Sequence, residues 1–150
     1  MTNAPTHRGF GYAWLAFACA IAVHVTDEAM HDFLSTYNPT VLAIREQLPF
    51  LPLPTFTFPV WLGGLIVGIV LLLCFSPLAF RGNARLRLIA LPLAAIVGIF
   101  NAFGHIGSSI YMVRWMPGVY SAPLLLLAAI WLLFATGWIK PSAESAATGA

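Results

Sequence analysis

Charge is what this sequence lacks most. Only 8% of its 150 residues are Asp, Glu, Lys or Arg, against about 25% in an ordinary soluble protein. So few charges cannot cover the surface of a soluble domain of this size, so the remaining surface has to face hydrocarbon. The net charge is only +2, carried by seven scattered basic residues. That excludes a nucleic-acid face, and no nucleic-acid partner is expected. Cysteine is limited to Cys19 and Cys74. Both fall inside apolar runs, which excludes a disulfide framework and reads as small core packing. The alternating pattern of a membrane barrel is missing, and no inverted repeat of two halves is visible.

What is present is apolar, 60% of the chain, and gathered into four stretches at about 9–25, 60–80, 88–106 and 119–139. Each approaches the roughly 20 residues that a helix needs to cross a hydrocarbon core of ~30 Å. Inside that core a helix satisfies its own backbone, so all four stretches are expected to be helical. The fold expected is an all-α bundle of four transmembrane helices at about 9–34, 60–80, 88–112 and 119–139. It forms a single domain over residues 1–140, with a flexible tail at 141–150. The first stretch follows a short basic start at His7 and Arg8 and is read as a retained helix rather than a signal peptide, since membrane segments follow it.

Four spans put the two termini and the second connection on one side of the membrane. That side carries Arg8, Arg81, Arg85, Arg87 and Lys140, five of the seven basic residues, while Arg45 and Arg114 lie opposite. The positive-inside rule makes both termini cytoplasmic and the location a cell inner membrane. Trp14 and Trp138 are then expected at the inner interface, and Trp61 and Trp115 at the outer one. Between the first two spans, Asn38-Pro39 reads as an N-cap followed by proline at the first helical position. It opens a short amphipathic helix over 40–48, with Val41, Ile44 and Leu48 on one side, suited to the outer interface. Pro49, Pro52, Pro54 and Pro59 exclude a regular helix after it. This segment is either a plain linker or a cover over a site that opens outward.

Chemistry-bearing residues gather near the outer ends of two helices. His24, Asp27, Glu28 and His31 follow one another at helical spacing within a wedge of roughly 100°, above Ala13, Ala16 and Ala20. On the third helix Asn101 and His105 stand one turn apart, above Ala94 and Gly98 and below Ser108. Small residues favour close helix contact in membranes, so the two stripes are expected to face each other. Charges inside a membrane helix cost ~3 kcal/mol each on insertion scales and usually mark function. The bland alternatives are interfacial solvation for His31 and Asp32, polar glue between helices for His24, Glu28 and His105, and an interface anchor for Arg114.

The order His24-x-x-Asp27-Glu28, Asn101-x-x-x-His105 and Pro117-Gly118 resembles the HXXEE-domain family of bacterial membrane proteins. That family is named for His-x-x-Glu-Glu, accompanied by Asn-x-x-x-His and Tyr-x-Pro-Gly. The resemblance covers nearly the whole chain, with Asp27 in place of the first glutamate and Trp115 in place of the tyrosine. It implies an intramembrane polar site with enzymatic activity, formed here by His24, Asp27, Glu28, Asn101 and His105, and names no reaction.

Two chemistries fit these residues. In one, His24, Glu28 and His105 bind a single divalent metal, zinc or iron, since two histidines and a carboxylate are a ligand set of catalytic centres. His31 or Asp27 would be further ligands, and Asn101 an orienting neighbour. In the other, adjacent Asp27 and Glu28 share one proton and act with His24 and His105 as acid and base. Either suits an enzyme acting on a lipophilic substrate. The alternative class is a small proton- or metal-coupled transporter. Gly64 and Gly68 on the second helix offer a seam for internal packing or for a homo-oligomer.

Overall fold

The computed structural model describes residues 7–137. Among these every regular element is a helix. The elements are α1 (His7–Met30), α2 (Phe33–Gln47), α3 (Phe58–Cys74), α4 (Ser76–Phe80), α5 (Ala84–Pro92), a π-helical segment (Leu93–Phe100), α6 (Asn101–Tyr111) and α7 (Ala122–Ala135). Three helical stretches are long and apolar enough to cross a membrane: α1, the nearly continuous α3–α4, and the continuous run from α5 through α6. α7 is a shorter apolar helix, so the fourth span is matched by a 14-residue helix of about 21 Å.

α1 is the central post, packed against α7, α4 and α3. Its inward residues, Phe10, Ala13, Trp14, Phe17, Ala20 and Ile21, are buried, and α7 meets them with Leu125, Ala129 and Leu132. Alternating alanine with large side chains lets helices approach closely, which is the main source of attraction where lipid removes the hydrophobic drive. Ala13 and Ala20 therefore line a buried seam, in a helix that packs mainly on α7, α4 and α3 rather than along the run from α5 through α6. Gly98 lies against Ala129 of α7 and the Phe17 ring of α1, so the small residues serve a three-way junction. α3 buries only Trp61, and among the described residues nothing lies within 4 Å of a Cβ at Gly64 or Gly68.

Several expectations are corrected. The first span ends at Met30 rather than near Leu34. The His31 ring places Nδ1 2.8 Å from the Asp27 carbonyl, a side chain competing for a late helical carbonyl. Asp32 then turns the chain in the left-handed region, at φ 53°. α2 starts at Phe33, so Asn38 is not an N-cap and Pro39 lies inside the helix, not at its start. Asn38 instead clamps the proline-rich connector: its amide nitrogen donates to the Phe56 carbonyl (2.9 Å), and its oxygen accepts from the Phe56 amide (3.0 Å). Tyr37 adds a hydroxyl bond to the Pro54 carbonyl at 3.1 Å. Local propensity at Asn-Pro yields here to a tertiary partner.

Trp14 is buried within the bundle, and its indole donates to the Leu72 carbonyl at 2.8 Å. Trp61 is likewise buried, stacked on Phe33, whereas Trp115 is exposed. Cys19 and Cys74 are free and exposed rather than in the core, because apolar runs on lipid-facing helices carry no inward bias. α7 begins at Ala122 rather than Val119, since Gly118 at φ +84° turns the chain just before it. Trp138, Lys140 and the tail at 141–150 lie outside the described residues.

The basic end of the molecule holds together. Gly82 packs against the His7 ring, and Arg87 donates to the carbonyls of Ala135 (3.2 Å) and Thr136 (3.1 Å) at the end of α7. A cation at a helix C-terminus opposes its dipole. The acidic residues and histidines of the site occupy the other end.

Candidate metal centre

Helical spacing on α1 sets the first half of the site. His24, Asp27 and Glu28 are all buried, and being three and four residues apart they project over the same face. The second half comes from helix three, where the π-helical segment ends at Phe100 and α6 begins with Asn101. π-Helical turns are uncommon and cluster at functional sites. This one rotates the last turns so that His105 faces α1, its ring 4.7 Å from that of His24. The third contribution is the turn before α7, from Met116 to Ser121.

Three ligand-type atoms converge. Glu28 Oε1 lies 3.0 Å from His105 Nε2 and 3.7 Å from His24 Nε2. All three atoms fall within 4.8 Å of one another. Donors on one tetrahedral ion with bonds of 2.0–2.2 Å sit roughly 3.3 Å apart. The trio thus stands about an ångström of side-chain adjustment from enclosing a cation.

The hydrogen bonds around the trio decide where its protons lie. His105 Nδ1 is 2.6 Å from the Pro117 carbonyl, which can only accept, so Nδ1 carries hydrogen. The Asn101 amide nitrogen lies 3.0 Å from His24 Nε2 and can only donate, so that Nε2 is an acceptor. The other nitrogen of His24, Nδ1, then donates to Ser121 Oγ at 2.9 Å. Ser121 Oγ in turn donates to Asp27 Oδ2 at 2.7 Å, and the Ser121 amide donates to the same oxygen at 2.9 Å. His105 Nε2 therefore presents its lone pair to the Glu28 carboxylate, while the lone pair of His24 Nε2 accepts from Asn101 and stands 3.7 Å from Glu28 Oε1. Between Glu28 Oε1 and His105 Nε2, two acceptors stand 3.0 Å apart, which calls for a proton or a cation between them.

The five residues expected from sequence are all brought to this end of the bundle, with different surroundings. His24, Glu28 and His105 form the centre. Asn101 sits on His24 rather than beside His105. Asp27 does not join Glu28 in sharing a proton. Successive helical residues point about 100° apart, and Asp27 is turned away from Glu28, with Oδ2 accepting from Ser121 and Oδ1 lying 2.8 Å from His31 Nδ1, which also faces the Asp27 carbonyl. His31 is half-exposed at the rim, against Tyr120, and is not a fourth ligand. Asp32 is in the exposed turn, and Arg114 donates to Met116 Sδ at 3.3 Å, away from the trio.

Sequence reasoning missed Ser121. It precedes α7 at the usual place of a capping serine, but makes no cap and turns its hydroxyl inward to join Asp27 to His24. It also left Pro117 and Gly118 without a role. Pro117 supplies the carbonyl that orients His105, and a Cβ on Gly118 would stand 2.7 Å from the His105 ring and 3.1 Å from Glu28 Cγ. A cavity of about 430 Å³ reaches the centre, walled by Phe33 and Tyr37 of α2, Asn101, Gly104 and His105 of α6, and Pro117. α2 thus lies over the approach to the site.

A family model described as a protein of unknown function with HXXEE motif matches residues 14–132, most of the chain and every residue of the centre. Comparison with curated proteins and with solved structures finds no match.

Proposed function

Taking as premise that the chain belongs to the HXXEE family, we propose that it is a membrane enzyme whose buried centre binds one divalent cation, zinc or iron, through His24, Glu28 and His105. Its substrate is lipophilic and arrives through the cavity under α2. The observation that carries this reading is the convergence of His24 Nε2, Glu28 Oε1 and His105 Nε2 within 4.8 Å of one another in a buried pocket, with Asn101 giving up its bond to His24 Nε2 when a cation takes that lone pair. Each imidazole is set with its lone pair on Nε2 by a partner on its other nitrogen, Ser121 for His24 and Pro117 for His105. Metal-ligating histidines are held in the same manner, with the distal N–H on a carboxylate or carbonyl that fixes the ring and raises its basicity. A bound dication would act as a Lewis acid towards a polarised oxygen of the substrate. The chain's own contribution is to orient both imidazoles, to supply the Glu28 charge and to keep the centre dry.

The contact between Glu28 and His105 also favours a second reading, in which a proton occupies the place of the metal and the pair acts as general acid and base. Metal analysis separates the two. Protein purified gently from membranes is expected to carry close to one equivalent of zinc or iron by mass spectrometry, and chelation is expected to lower its melting temperature. Protein that is metal-free, refuses reloading and stays folded would leave the acid–base reading standing alone.

We further propose that α1, α3–α4, α5–α6 and α7 all span an inner membrane, with the Arg81–Arg87 end in the cytoplasm and the metal centre towards the outer leaflet. The basic asymmetry supports this orientation. In a background without Cys19 and Cys74, a cysteine at Glu46 is expected to react with an impermeant maleimide on intact cells, and one at Ala84 only after lysis. The reverse pattern, or equal labelling, would sink the orientation.

A further inference from the structure

The cavity beside the centre has a composition of its own. Phe33, Phe100 and Met116 give it apolar walls, and its polar lining consists of Thr36, Thr40, Tyr37, Asn101, His105 and Ser108, with no Asp, Glu, Lys or Arg. Its volume of about 430 Å³ lies in the range of small-molecule sites, which are commonly ~300–1,000 Å³. Phe100, which lines it, is 72% exposed on the outside of the bundle, so the cavity opens sideways, where helix three faces its surroundings. A molecule dissolved in the bilayer reaches the site without crossing water.

From this we infer that the cavity binds an uncharged lipid carrying a hydroxyl head, with the hydroxyl at the His105–Asn101 end and the hydrocarbon towards Phe33 and Phe100. The inference deepens the proposed function by naming the substrate class of the same centre, but the binding it describes does not require the metal. Two features select the head group. In the metal-free protein, an anionic head placed beside His105 would come close to the Glu28 carboxylate with no Lys or Arg in the lining to offset it, and like charges at such range in a dry site are strongly unfavourable. An alcohol is neutral and brings a donor. Asn101 spends its amide nitrogen on His24, which leaves Oδ1 as an acceptor for that hydroxyl. Thr40 and Ser108 already donate to the carbonyls of Thr36 (2.7 Å) and His105 (3.1 Å), so the lining has more use for a donor than for another acceptor.

Gly104 makes the site testable. It lines the cavity, and a Cβ there meets nothing within 4 Å, so a large side chain fills the space with little effect on the bundle. The experiment uses the full chain in nanodiscs of uncharged lipid and two photoactivatable probes with one diazirine-bearing alkyl chain, a long-chain alcohol and the matching fatty acid ionised at pH 7.5. In chelator-treated protein the alcohol is expected to label the segments 33–40 and 100–108, with competition by the unmodified alcohol, and the fatty acid to label them at least tenfold less. Gly104→Phe is expected to remove this labelling while keeping the parent's metal content and melting temperature, and Gly104→Leu to weaken it if the larger ring compromises folding. Equal labelling by the two probes, labelling confined to the α3 surface, or unchanged labelling in both variants that fold would overturn the inference. Alcohol labelling of protein that proves unable to take up metal supports it and counts only against the metal. Metal bound at one equivalent without alcohol labelling counts only against the lipid.

Discussion

Glu28→Gln is expected to leave the protein folded but unable to retain metal, with content falling below a tenth of an equivalent. The substitution keeps the shape of the side chain and removes its charge. Its new amide can donate to His105 Nε2 across the present 3.0 Å contact, so the metal-free form loses no hydrogen bond and gains a donor between two acceptors. The dication, in contrast, loses its one anionic ligand in a buried site, where neutralising that carboxylate is a large part of the reason to bind. His24→Ala and His105→Ala should also remove metal, at greater cost to folding, because each empties a buried ring position. Ser121→Ala, which breaks the link from Asp27 to His24, is expected to lower affinity ~10–100-fold, as supporting groups of metal ligands do. His31→Ala should leave affinity unchanged. The thermal consequence follows by mass action: metal held at a hundred times its dissociation constant adds about 2.7 kcal/mol to the folded state, a gain that wild type shows and Glu28→Gln does not. Mass spectrometry with parallel melting curves checks both. A glutamine variant with a full equivalent of metal would falsify the assignment of ligands.

Gly118→Ala should be among the most damaging single-methyl additions in the chain, with a loss of ~2–4 kcal/mol. Two costs add. The residue sits at φ +84°, where an L side chain is strained by roughly 1–2 kcal/mol. The added methyl would also stand 2.7 Å from two atoms of the His105 ring, and the ring cannot retreat without lengthening its bond to the Pro117 carbonyl, at a cost of about 1–3 kcal/mol for a buried polar group left poorly paired. Metal affinity should fall with stability, since the displaced ring carries a ligand. Gly104→Ala is the control. Its Cβ meets open space in a regular helix, where alanine is the better helix former by about 1 kcal/mol. Equal melting temperatures for Gly118→Ala and wild type would show that the turn before α7 does not hold the centre in place.

The sequence alone determined the class of the molecule. With so little charge and four apolar stretches of near-spanning length, helices are the one economical answer, because a helix bonds its own backbone wherever it is placed. Spacing also determined that His24, Asp27 and Glu28 share a face of α1 and that Asn101 and His105 share one on α6, since 3.6 residues per turn operates without knowledge of any neighbour. The ordered motifs placed the chain in its family before any geometry was known.

Tertiary structure decided the rest, for one recurrent reason: the deciding partner is distant in sequence. Asn38 has the chemistry of a cap, yet it serves the Phe56 backbone eighteen residues on. Ser121 stands where serine caps helices, yet its hydroxyl reaches Asp27, ninety-four residues earlier. Asp27 and Glu28 are neighbours that look coupled, but the turn before α7 engages one and α6 the other. Trp14 carries an indole donor whose acceptor, the Leu72 carbonyl, lies fifty-eight residues on. Helical period tells which residues share a face, but the neighbour that face meets is set by packing. The tautomer of each histidine, and with it the ability to hold a metal, is set by that neighbour.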